Sequence, residues 1–237
     1  MQKLNISTRL LSEATWRRIF ESSGPRLIDK KQSFFELMAS LSELRKLADY
    51  NTGSISASSA WALYSVVTYF QPTFILEVGT FIGKSTLAMA LALDDSLMGT
   101  GEIHTCDQSN EILLPNMTKT PIVQYSKKTS TEMFTEISST DGSDNKFEML
   151  HLDGRVQEQD LPLLSKICNP EIIVALDDFE GFEKGVANLV NLRNSNLFPS
   201  HLLIYPPSDP FLRTFGFFDH STTALLIPQA TLQLTSQ

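Results

Sequence analysis

The pattern of apolar residues along the chain changes texture near residue 72. Before that point Phe34, Leu37, Met38, Leu41, Leu44 and Leu47 recur at intervals of three and four and predict a helix with one buried face. Its start is predicted at Ser33-Phe34-Phe35-Glu36, where a hydroxyl and a carboxylate are spaced as in a capping box. A break follows at Asn51-Thr52-Gly53-Ser54. A second helix runs through Trp61, Tyr64, Val67 and Phe70, places Trp61 and Tyr64 in a core, and stops before Pro72.

From residue 73 short apolar runs alternate with helical patterns. Strands are predicted at Phe74–Val78, Glu102–Cys106, Ile122–Tyr125, Phe147–Leu152 and Ile172–Leu176, then at His201–Tyr205 and Thr223–Ile227. Helices are predicted at Ser85–Leu93, Leu161–Ile167 and near Phe182–Leu192, and a polar surface loop at Ser138–Lys146. The alternation implies a doubly wound, mostly parallel α/β sheet of about seven strands with helices on both faces. Residues 1–55 form an N-terminal helical cap and residues 56–237 the α/β domain. The connection holding Pro206-Pro207, Pro210 and the phenylalanines of Phe215–Phe218 is too long for a tight hairpin and is expected to border a ligand site.

Composition narrows the partners. The chain has 237 residues, 42% hydrophobic and 19% charged, which fits one large folded core with an appendage. No apolar run approaches the ~20 residues of a membrane span, and residues 1–5 lack the apolar core of a secretory signal. Net charge is −8 with scattered bases, so nucleic acid is not an expected partner. Cys106 and Cys168 lie in or beside apolar segments with no CxxC pair, and read as buried thiols in a reducing compartment, the cytoplasm.

The chemistry concentrates where strands end. In Ile75-Leu76-Glu77-Val78-Gly79-Thr80-Phe81-Ile82-Gly83-Lys84-Ser85 a strand runs into a glycine turn and then directly into a helix. Gly79 and Gly83 let the backbone approach a ligand without a Cβ clash, and the helix start offers free amides. The turn is not a phosphate loop, which needs four residues between its glycines where this one has three. The dinucleotide pattern GxGxxG is absent. A nucleoside-triphosphatase is the weakest reading, kept only because Ile172–Asp177 looks like a strand ending in a magnesium-binding acid. Asp107 ends the second predicted strand, spaced to accept hydrogen bonds from ribose hydroxyls. Asp153, Asp177 and Asp178 end two further strands. Such crowded carboxylates need a cation or a ligand amine among them, and their hard oxygens suit Mg2+ or Ca2+.

The stretch Glu77-x-Gly79-x-x-x-Gly83 resembles motif I of class I methyltransferases. The wording Leu-Glu-Val-Gly-Thr-x-x-Gly-x-Ser-Thr is similar to the O-methyltransferase branch, including catechol O-methyltransferase-like and cephamycin-biosynthesis methyltransferase-like enzymes. The resemblance covers most of residues 55–190 and implies a Rossmann-like sheet binding S-adenosylmethionine. Glu77 would face the cofactor's amino end, with Gly79, Thr80, Phe81, Gly83 and Ser85 forming the turn beside it. Asp107 would hold the ribose, Ser130 and Thr131 the adenine side, and Ser54-Ile55-Ser56 would cross the pocket. Asp153, also near the cofactor, would join Asp177 and Asp178 around a divalent ion that activates the hydroxyl of a small acceptor. The N-terminal helices would cap the pocket, and a homo-oligomer is expected.

The pattern also departs from the family. Gly154 is followed by Arg155 and Val156, so neither the histidine of one branch nor the lysine base of the other is present. His104, His151 and His201 are expected in the core or structural, which leaves His220 as the candidate base. The missing base keeps open a second reading, a binding or assembly protein on a methyltransferase scaffold that has lost its chemistry.

Overall fold

The computed structural model describes residues 6–47, 54–96, 101–109, 116–140, 146–182 and 184–234. The expected break at Asn51-Thr52-Gly53 lies outside them, as do residues 141–145 of the predicted polar loop. Seven strands form one sheet: β1 (Phe74–Val78), β2 (Glu102–Asp107), β3 (Ile122–Ser126), β4 (Phe147–Leu152), β5 (Cys168–Leu176), β6 (His201–Ile204) and β7 (Ala224–Pro228). Their order is β3-β2-β1-β4-β5-β7-β6. The first five pair in parallel, and β7 runs antiparallel to both its neighbours.

The helices are α1 (Ile6–Leu44), α2 (Ala57–Phe70), α3 (Lys84–Asp94), α4 (Ser130–Ser139), α5 (Leu161–Ile167), α6 (Gly185–Asn194), α7 (Asp209–Thr214) and α8 (Gln229–Leu234). Successive strand side chains point to opposite faces, so each central strand feeds two cores. Ile75, Ile103, Met149 and Ala175 pack with α1, α2 and α3; Leu76, Cys106, Leu150 and Val174 pack with α4 and α5 on the other face. Among the described residues no helix is long and apolar enough to cross a membrane.

One expectation about the helical part is corrected. Ser33 does not start a helix; it lies within α1, which runs through Pro25 without ending, and its hydroxyl donates to Lys30 O. Packing overrides the local signal: Trp16, Ile19 and Phe20, then Phe34, Met38 and Leu41, bury themselves in one core with α2 and the sheet. The Phe215–Phe218 connection is partly core. Phe217 is buried against Phe20, Phe35 and Trp61, and α7 packs Phe211 on Phe20 with ring centroids 5.3 Å apart.

Trp16 fixes the first half of α1. It is fully buried, and its indole Nε1 donates to Tyr205 O at 2.7 Å, just beyond β6. Trp16→Ala is expected to cost about 3–5 kcal/mol, the usual range for truncating a buried aromatic. Urea unfolding measures it, and a loss under about 1 kcal/mol would show that α1 is not docked there.

Candidate functional site

The turn after β1 is held from below. Gly79 and Thr80 amides both donate to Cys106 O at the end of β2 (2.9 and 3.2 Å), and Gly83 N closes the turn on Thr80 O (2.8 Å). Gly79 has φ +102°, and a Cβ on it would lie 3.1 Å from the Asp153 backbone, so the turn needs glycine both for its conformation and for its fit against the end of β4. Phe81 also has a positive φ, +46°. Asp107 holds that strained position: its Oδ2 accepts from Phe81 N (2.7 Å), while Oδ1 accepts from Ser109 N (2.8 Å). A carboxylate oxygen has two lone pairs, so it can accept more than one hydrogen bond.

Above the turn, at the carboxyl ends of the strands, opens a cavity of about 510 Å³. Gly79, Phe81, Asp107, Ser130, Thr131 and Asp153 line it, which unites six of the residues singled out in the sequence. Ser130 and Thr131 are oriented by the fully buried Asp160, which accepts from both hydroxyls. Gly83 caps the start of α3. Glu77, Thr80 and Ser85 do not line the cavity; they are buried behind the turn. Neither does Lys84, whose ammonium donates to Ile55 O (2.6 Å) and Ser42 Oγ; this separates the turn further from a phosphate loop. His220 is exposed, paired with Asp209 at 2.7 Å, and also absent from the cavity wall. The N-terminal half of α1 lines a different hollow, of about 340 Å³, with Tyr205, Pro206 and Pro207.

One pleat beneath the cavity lies a polar rank. Register places Glu77 opposite Thr105 on one side and His151 on the other, with Ala175 next to His151. Each of these four stands two residues before a strand-end residue: Asp107, Gly79, Asp153 and Asp177. The Glu77 carboxylate accepts from Thr105 Oγ1 (2.7 Å), from Thr86 Oγ1 of α3 and from His151 Nδ1 (3.0 Å). His151 was expected as packed core; it is fully buried, but as a charge partner. The signal was available in the sequence as three strand ends carrying a polar residue at the same offset.

The three acids meet as expected. One carboxylate oxygen from each of Asp153, Asp177 and Asp178 lies within 4.8 Å of the others. Asp177 is anchored by Thr222 and Thr223 hydroxyls at 3.1 and 2.9 Å. Burial and the neighbouring Asp177 raise Asp153 well above the usual carboxylate range. The sequence reasoning missed the cation that answers this repulsion. Lys184 Nζ sits 3.0 Å from both Asp153 Oδ1 and Asp178 Oδ2 and lines the cavity. Burial disfavours its charge, but the two carboxylates outweigh burial and hold the ammonium protonated well beyond the ordinary lysine value. With an ammonium bridging two of the three donors, the set as arranged does not fit a divalent ion.

The architecture is thus an open α/β sheet with a cavity at the strand ends, where such sheets bind ligands. The chain matches no protein-family model and no curated protein sequence. It does match solved structures. An O-methyltransferase from Bacillus cereus in complex with SAH superposes with a TM-score of 0.56 at 13% identity, covering 81% of this chain and 90% of that one. TomG, the Streptomyces achromogenes O-methyltransferase involved in tomaymycin synthesis, solved with SAM, gives 0.53 at 14%, covering 81% and 88%. At these identities the likeness shows the fold, which this chain shares with O-methyltransferases.

The buried pair gives a pH prediction. Burial opposes both charges, but the hydrogen bond and attraction between them win: Glu77 is held below the ordinary carboxylate range and His151 above the ordinary imidazole range. A raised His151 contributes stability that is complete below its unfolded value of about 6.5 and disappears as pH climbs through its folded value. A depressed Glu77 contributes stability that is complete above about 4.3 and disappears as pH falls. Glu77→Gln is therefore expected to cost about 3–5 kcal/mol near pH 5.5 and clearly less near pH 9. Urea melts of both proteins at the two pH values decide it; an equal cost at both would mean the pair is not ionised.

Proposed function

We propose that this chain is an S-adenosylmethionine-dependent methyltransferase that methylates an oxygen of a small hydroxylated molecule. The observation that carries the reading is the convergence of Gly79, Phe81, Asp107, Ser130, Thr131 and Asp153 on one cavity, at the strand ends of a fold shared with O-methyltransferases solved with SAM or SAH. The donor set fits that cofactor. Asp107 offers carboxylate lone pairs of the kind ribose hydroxyls donate to, and Asp153 adds a second carboxylate to the cavity wall. When bound, the cofactor supplies an electrophilic methyl group on sulfur. The chain's own part is positioning: Asp107 stiffens the turn through Phe81 N, Asp160 orients the hydroxyls of α4, and Glu77 holds the strand ends level. Holding two reactants in line accounts for a large share of the rate of such a transfer.

Calorimetric titration with S-adenosylmethionine and its demethylated product tests the reading. Saturable binding with Kd between roughly 1 μM and 1 mM is expected. Asp107→Ala removes hydrogen bonds to a charged acceptor and should weaken binding about tenfold to a hundredfold. No heat with either ligand, at protein concentrations above that range, would sink the proposal.

A further inference from the structure

Lys184 occupies an unusual place. It directly precedes α6, where the helix dipole disfavours a positive charge, and it caps no amide with its side chain. Its amine instead reaches Asp153 at the end of β4 and Asp178 after β5. Two backbone features bring it there. Asp178 takes a positive φ of +51°, which a non-glycine residue adopts only when its surroundings impose it. Gly185 lets the start of α6 press against the end of β5: a Cβ there would lie 2.4 Å from Asp177 O and 3.0 Å from the Phe179 backbone.

We propose that Lys184 is the resident cation of this site, taking the position a divalent ion would need among Asp153, Asp177 and Asp178 and presenting its remaining N–H to the acceptor oxygen. An ammonium has three donors. Two are used by Asp153 and Asp178, and the side chain remains about a third exposed on the cavity wall. A group held there does two things a bound metal does: it neutralises the crowded acids and fixes an acceptor oxygen by a charge-assisted hydrogen bond. It does so with directional hydrogen bonds and no open coordination positions, so a single hydroxyl is recognised, where a metal can chelate two neighbouring oxygens. The ligand class follows as a small molecule with one reacting hydroxyl.

The acceptor half of this inference rests on the methyltransferase reading; the cation half does not. Mn2+ alone is titrated into the wild-type chain, Lys184→Gln and Lys184→Arg, with binding read by the loss of the free-ion electron paramagnetic resonance signal. The wild type and Lys184→Arg are expected to bind Mn2+ no tighter than roughly 1 mM, the weak end for protein oxygen sites. Lys184→Gln, which uncovers the acids, should bind at least about tenfold tighter, and Asp178→Asn added to it should abolish the gain. Circular dichroism and melting confirm that each variant is folded. Tight Mn2+ binding by the wild type, or no gain in folded Lys184→Gln, overturns the assignment. In parallel, methyl transfer by the wild type should be unchanged by EDTA; loss with EDTA and restoration by Mg2+ overturns it as well. Failure to bind S-adenosylhomocysteine would instead count against the methyltransferase reading, leaving the cation assignment to be judged on Mn2+ alone.

Discussion

A carboxylate with no exposed surface sets the frame of this molecule. Glu77 sits on the central strand and takes hydrogen bonds from the strand on each side and from the helix that follows the glycine turn. A buried charge without these partners would be strongly destabilising, so the neighbours must arrive in one register. Because side chains alternate along a strand, a slip of one residue would turn Thr105 or His151 to the other face and leave the acid unpaired. Fixing that rank fixes the level above it. Asp107, Gly79, Asp153 and Asp177 come out side by side at the sheet edge because the residues two positions earlier are already locked together.

Much of this was readable from the chain. The short apolar runs marked every strand to within a few residues, except that β5 begins four residues before its predicted start, and the glycine turn and strand-end acids marked the cavity. The failures have physical causes. Ser33 looked like a cap because capping is local, whereas α1 is held by contacts with residues more than a hundred positions away, such as Tyr205. His151 looked like core because its partner Glu77 lies 74 residues earlier and meets it only across a strand pair. Lys184 carried no motif, since its partners Asp153 and Asp178 are joined to it by fold alone. His220 looked promising from its late position, yet its segment turns it outward to Asp209.

The strand-end acids show how little a fold commits a chain to one chemistry. The same open sheet edge can gather negative charge for a metal, for a ligand amine or for an internal ammonium, and the choice depends on which side chain the neighbouring loops deliver. Here Asp153 after β4 and Asp178 after β5 are met by an amine from the start of α6.

Gly185 sets how closely α6 approaches the sheet. Only a residue without a side chain lets the helix start lie against Asp177 O, so the amine reaches the acids through a lysine–glycine pair rather than a lysine alone. Any side chain at position 185 would push the helix start away from the sheet edge and take the ammonium with it.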